Sequence, residues 1–299
     1  MNKPFVRRML LGVLTGLLYP LCFPSFDLGM LAWILLIPLH LAIVHSTPKD
    51  AWRIGWASGF IAFLGTMYWV VTVMHEFGKV PVVVSDLVLV LLAAYLGLYV
   101  ALYAWALVKI RAVSPLTSLL AAPAVWIALE YARSYALSGF PWALLGYSQY
   151  LNLPVIQIAD HTAVYGVSFL VVLVNVALTD WILWWQQRSS TPTPRPLPWQ
   201  ASAAAAVALV ITLGYGMSRL NETTPGSQAG SPPRTLSIGL VQGNIDQSQK
   251  WDVAFRRETI DRYLRLTREA AKETDLIIWP EAATPFLFER EPEYQWEVM

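Results

Sequence analysis

The chain has 299 residues, of which 56% are hydrophobic and 14% charged, with a mean hydropathy of +0.47; that is too apolar for an ordinary water-soluble domain and reads as a polytopic membrane protein. The net charge of +1 gathers into no basic stripe, which argues against nucleic acid as a partner. The single cysteine, Cys22, excludes a disulfide framework and a cysteine-based metal site, and in an apolar helix it reads as a small hydrophobe.

Charge is unevenly distributed. Met1 to Ser218 holds eleven Lys/Arg and seven Asp/Glu, whereas the shorter stretch from Arg219 to Met299 holds ten and thirteen, so lipid is the first solvent and water the second. A bilayer core of about 30 Å asks for roughly 20 apolar helical residues. Seven segments approach that length: Met9 to Phe23, Leu28 to Val44, Ala51 to Met74, Val80 to Val108, Leu116 to Tyr131, Val164 to Trp185 and Gln200 to Met217. Lys3, Arg7 and Arg8 precede the first, but no small-residue cleavage site follows it and further spans do, so it reads as a retained helix.

Lys and Arg in short connections tend to stay on the cytoplasmic side. With the N-terminus inside, Lys3, Arg7, Arg8, Lys49, Arg53, Lys109, Arg111, Arg188 and Arg195 lie inside, against Lys79 and Arg133 outside. An odd number of spans then puts everything after Met217 on the outer face, the periplasm of a Gram-negative cell.

The connection from Ala132 to Asp160 is long, lies outside in this topology, and contains Phe140-Pro141-Trp142 and Gly146-Tyr147-Ser148-Gln149-Tyr150. Aromatic residues mixed with Gly and Pro suit the headgroup region, either as a simple belt or as a functional loop. Asp86 and Glu130 are acids near outer helix ends, where water or headgroups would solvate them; with His75, Glu76, Asp160 and His161 they concentrate polar groups at one surface, which favours an outer-leaflet site over a path through the bilayer. His40, His45, His75 and His161 show no ligand spacing, so neither metal nor cofactor is expected. Thr191 to Pro198 reads as a stiff connector and Asn221 to Arg234 as a flexible tether.

Beyond the tether, Thr235 to Val241 reads as a buried strand. Asp252 is placed to cap a helix whose apolar positions Ile260, Tyr263, Leu264, Thr267, Ala270 and Ala271 recur at helical spacing, and Asp275 to Trp279 reads as a second strand. This is a βαβ unit with parallel strands, in which ligands sit beyond the carboxyl ends. Pro280 stops the second strand there and delivers Glu281, held for proton transfer; the plainer reading is a solvated Glu.

Leu240-Val241-Gln242-Gly243-Asn244-Ile245, Gln247-Ser248-Gln249-Lys250-Trp251 and Ile277-Ile278-Trp279-Pro280-Glu281 together resemble the opening of the nitrilase-like domain of bacterial apolipoprotein N-acyltransferases. Gly139-Phe140-Pro141-Trp142 and Gly146-Tyr147-Ser148-Gln149 resemble the same family's membrane domain. The resemblance implies a membrane domain over 1–218, a linker over 219–234 and the incomplete start of an α/β nitrilase-like domain over 235–299, in the bacterial inner membrane. It further implies transfer of an acyl chain from a phospholipid to the α-amine of a diacylglyceryl-cysteine apolipoprotein, through a thioester on a cysteine served by a Glu and a Lys. Glu281 matches the family's Glu. Trp251 matches a tryptophan near the active site, unless it is merely a ring covering the base of the sheet; Gly146 and Tyr147 match the outer loop, where they would shape lipid entry.

No Lys or Cys follows Glu281, and Cys22 lies in lipid, so the chain is expected to be an N-terminal fragment without acyltransferase activity of its own. The competing classes are a transporter or channel, which would call for paired charges or broken helices at the midplane, and a membrane-anchored amidase, which would leave most of the spans without a purpose.

Overall fold

The computed structural model describes residues 3–113, 117–188, 197–222, 235–247, 249–286, 289–291 and 294–296. The chain divides into two units, Met1–Ser227 and Gln228–Met299.

The first unit is a helical bundle. In chain order it contains α1 (Lys3–Leu18), α2 (Ile37–Ile43), α3 (Pro48–Thr66), α4 (Trp69–Thr72), α5 (Val82–Val113), α6 (Thr117–Tyr135), α7 (Leu153–Ile156), α8 (Ala159–Arg188) and α9 (Trp199–Glu222), with short 3₁₀ turns at Tyr19–Cys22, Gly29–Trp33, Ala136–Ser138 and Leu145–Gln149. Helix forms within each of the seven apolar segments, although two of them are interrupted. Among the described residues four helices are long and apolar enough to cross a membrane (α1 with the turn after it, α5, α8 and α9), and a fifth span results if α3 and the Trp69–Phe77 helix, bent by 46°, count as one. The count therefore stops short of seven: Gly29–Ile43 is a shorter apolar helix, and α6 carries Pro123, Glu130 and Arg133.

The break between the Gly29–Trp33 turn and α2 would strand backbone groups in an apolar core, at a cost of several kcal/mol each in lipid. Two side chains from other helices satisfy them. Asn175 on α8 accepts from Leu36 N (2.8 Å) and donates to Ala32 O (2.9 Å). Thr15 on α1 donates to Leu35 O (3.2 Å) and accepts from Leu39 N (3.1 Å). His40, also buried, is partnered through both ring nitrogens, by Thr179 at 3.3 Å and Tyr103 at 2.7 Å.

Small residues bring α3 and α5 into backbone contact, the usual device where lipid offers no hydrophobic drive between helices. A Cβ on Gly55 would lie 2.7 Å from Val100 O, and one on Gly97 2.9 Å from Phe60 N. Cys22 is fully buried, its thiol 3.8 Å from Leu18 O, as expected of a small hydrophobe. The helix α9 runs on to Glu222, past the expected start of the linker at 219; residues 223–234, like most of the Thr191–Pro198 connector, lie outside the described residues.

In the second unit, β1 (Ile238–Leu240) and β2 (Leu276–Ile278) pair in parallel, Gly239 opposite Ile277, with α10 (Arg256–Ala270) between them in sequence. Both strands are shorter than expected, and Asp252 caps a 3₁₀ turn (Val253–Phe255) that leads into α10, its carboxylate accepting from Ala254 N at 2.9 Å. Val241, Tyr263 and Ala283 form the small core, with Leu266, Ala270, Ile277 and Trp279 against it. Ile238, Leu240, Leu276 and Ile278 are exposed, so one sheet face is open where buried strands are expected.

Candidate functional site

Two places carry the candidate residues, one in each unit. In the first unit, the segment from Phe140 to Tyr150 is drawn down onto the helix bundle by side chains from four regions. Arg133 on α6 donates to the carbonyls of Phe140 (3.4 Å), Trp142 (2.8 Å) and Ala143 (3.1 Å). Glu130, one turn earlier, accepts from Leu145 N at 2.6 Å. Tyr19 OH donates to Ala143 O (2.9 Å), and Gly146 N to Ser168 Oγ on α8 (2.8 Å). Gln149 joins Gly29 O (2.7 Å) to the Trp33 indole (2.9 Å).

Glu130 and Arg133 are only 3% and 2% exposed. That overturns solvation of Glu130 by water or headgroups: the carboxylate faces inward because the loop needs an acceptor for a buried amide and Arg133 supplies a nearby positive charge. Asp86, by contrast, is exposed at the start of α5. Among the described residues Trp126 Nε1 and Glu130 Oε2 have no partner within hydrogen-bonding geometry. Both residues line a small void beneath the loop, about 20 Å³, alongside Tyr19 and Arg133. The Glu130–Arg133 latch was the feature least visible in the sequence; its signal is an acid and a base one helical turn apart, directly before a Gly/Pro-rich stretch full of carbonyls to hold.

Gly146 is buried against α8, where a Cβ would come within 2.5 Å of Val164 O. Tyr147 is 46% exposed. The two residues share a lateral cavity of about 450 Å³ with Tyr150, Val164 and Tyr165, beside the backbone kink at Ala163 (φ 50°). The aromatic residues of this segment are thus divided between cavity wall and surface, more than a belt requires. On the same connection, Asp160 accepts from Tyr215 OH at 2.5 Å and lies 3.4 Å from Arg219 Nε, which ties the start of α8 to α9.

In the second unit, Glu281 is exposed just beyond the carboxyl end of β2, where β1 also ends. Its backbone carbonyl accepts from Lys250 Nζ at 3.4 Å. Ala282, the next residue, has φ 54°, a left-handed conformation that a non-glycine residue adopts at a cost and that recurs at functional turns. Trp251 is 58% exposed, so within this unit it does not cover the base of the sheet. Trp279 packs on α10: its ring lies 5.0 Å from Tyr263 and its indole donates to Thr267 Oγ1 at 2.8 Å. Gly243 follows because a Cβ there would meet the Tyr263 ring at 2.6 Å. Ser248, in the motif before Trp251, lies outside the described residues. An exposed carboxylate at a strand end is open to a reacting group and suited to accept a proton.

Residues 15–177 match the family model of the apolipoprotein N-acyltransferase N-terminal domain. The chain belongs to this family. Among curated relatives, the apolipoprotein N-acyltransferase of Geobacter metallireducens is 43% identical over 290 residues, covering 96% of this chain and 53% of the relative. Those of Vibrio vulnificus and Coxiella burnetii are each 31% identical, over 97% and 92% of this chain and 53% of their own lengths. The chain thus spans about half the length of the curated relatives it matches. The family match covers the latch, Gly146 and Tyr147, and the longer alignments take in nearly the whole chain.

Proposed function

We propose that this chain supplies the membrane domain and the first catalytic carboxylate of an enzyme that acylates lipoproteins at the outer face of the bacterial inner membrane. The observation that carries the reading is the family membership of a membrane unit whose chain continues into a βαβ unit delivering Glu281 at a strand's carboxyl end. The acyl donor is a membrane phospholipid and the acceptor a diacylglyceryl-cysteine N-terminus, with seven membrane passes and the second unit as the start of a nitrilase-like domain. Orientation follows from the excess of Lys and Arg in the inner connections. With seven passes and the N-terminus inside, the second unit faces the periplasm.

The chemistry runs in two balanced steps. Glu281 takes the proton of a cysteine thiol, the thiolate attacks the donor's ester carbonyl, and the departing glycerol oxygen receives the proton, leaving a thioester and a lysophospholipid. The lipoprotein α-amine then attacks the thioester; its proton passes by way of Glu281 to the leaving sulfur, giving the amide and the free thiol. A lysine stabilises the oxyanion of each tetrahedral intermediate. Cys22, buried in the first unit, is not that cysteine. Trp251, exposed, and the cavity at Gly146 and Tyr147 would contact substrate, the cavity by admitting an acyl chain from the side.

The test uses the full-length protein from the same gene, a labelled phosphatidylethanolamine and a synthetic diacylglyceryl-cysteine peptide, with the peptide's mass gain as readout. Glu281→Gln should lower turnover by about 10²–10⁴-fold, the usual worth of a positioned acid or base. Turnover within about tenfold of the parent would remove Glu281 from the mechanism.

A further inference from the structure

The end of the bundle opposite the outer loop holds a second cleft. Where α3 and α5 cross, Gly55 and Ala104 bring the backbones together, a Cβ on Gly55 lying 2.7 Å from the Ala104 Cβ. Beside this crossing, Trp52 on α3 and Trp105 on α5 line a cleft of about 390 Å³ with Pro48, Lys49 and Arg53.

The chemistry of this cleft is graded along the helix axis. On α5, Leu98, Leu102, Trp105 and Lys109 follow one another at spacings of four, three and four residues, a single helical face, and all four are exposed. Two aliphatic side chains lead to an indole, and the indole leads to a cation. Lys49 and Arg53, both exposed, supply two further cations from α3. The acidic group that answers them is Asp50, whose carboxylate is 3.8 Å from Arg53 and is outnumbered. Arg111 stands apart, already paired with Asp180 at 3.2 Å.

We propose that this cleft is a binding site for one anionic glycerophospholipid. Its phosphate sits among Lys49, Arg53 and Lys109, its glycerol region lies against Trp52 and Trp105, and one acyl chain runs along Leu102 and Leu98. Basic pockets between membrane helices bind anionic headgroups in this way, and indoles favour the interface level. The ligand differs in role from the acyl donor, since the cleft lies at the end of the bundle rich in Lys and Arg and holds no group able to take up an acyl chain. It therefore stands whether or not the acyltransferase reading does.

The test is native mass spectrometry of the detergent-solubilised 299-residue chain with equal amounts of phosphatidylglycerol and phosphatidylcholine. The parent should retain one phosphatidylglycerol in preference to phosphatidylcholine. Lys49→Gln/Arg53→Gln should weaken that adduct roughly 30-fold, from two lost headgroup contacts, with phosphatidylcholine adducts unchanged as evidence of an intact bundle. Lys49→Arg/Arg53→Lys should keep it. Equal retention of both lipids by the parent, or undiminished phosphatidylglycerol binding by the double glutamine variant, would overturn the site. Displacement of the lipid by excess inorganic phosphate would overturn it as well, by showing an anion site with no use for the acyl chain.

Discussion

Glu130→Ala should release the Phe140–Tyr150 segment without unfolding the bundle. Glu130 Oε1 accepts the amide of Leu145 at 2.6 Å, and Leu145 itself is 0% exposed. Removing the acceptor leaves the buried Leu145 N–H unsatisfied, which costs about 1–3 kcal/mol. The upper end of that range, about 3 kcal/mol, makes local opening of the segment over 100-fold more frequent, roughly two factors of ten. Glu130→Gln keeps an oxygen where Leu145 needs it, so its effect should be about 1 kcal/mol, under roughly tenfold. Hydrogen exchange followed by mass spectrometry reads this directly, with peptides covering 143–150 as reporter and peptides from α5 as internal control. Exchange in Glu130→Ala within about threefold of the parent would refute the latch. Equal acceleration by Ala and Gln would refute the role assigned to the acceptor oxygen.

Gly146→Ala places a methyl 2.5 Å from Val164 O and 3.0 Å from Ser168 N; it should cost about 1–3 kcal/mol by overpacking and lower the thermal midpoint, and an unchanged midpoint would mean that α8 yields at its kink. Asn175→Leu strips partners from Leu36 N and Ala32 O and should cost about 3 kcal/mol or more, read as a fall in thermal midpoint and loss of a monodisperse peak in size-exclusion chromatography; parent-like behaviour would show that these groups find other partners.

Much of the architecture is legible in the sequence because lipid imposes simple rules. Apolar length marks the helices, and two short apolar runs flanking an amphipathic helix after the tether mark the second unit. Parallel pairing of Ile238–Leu240 with Leu276–Ile278 follows from a strand, helix, strand order. What hydropathy does not register is a break whose polar groups are satisfied from elsewhere: Gly29–Ile43 reads as one apolar run, and only Thr15 and Asn175 explain how it bends. Glu130 fails for a related reason. Its position near a helix end suggests water, but burial is decided by where the following loop lies, and that depends on contacts far along the chain. At the second unit, the placement of Glu281 is local and could be read from Trp279-Pro280-Glu281, whereas the exposure of Trp251 and the supporting role of Trp279 depend on the fold of the whole unit.

The asparagine that mends the break also sets a timetable for biosynthesis. Leu36 and Asn175 are 139 residues apart, and a ribosome adding about 5–20 residues per second needs roughly 7–28 s to cover that distance. Until then the Ala32 carbonyl and the Leu36 amide lack the side chain that completes them, and hydrocarbon offers no substitute. The Gly29–Ile43 segment therefore gains the side chain that completes its bend only once α8 has been made, so its final packing depends on a residue synthesised long after it.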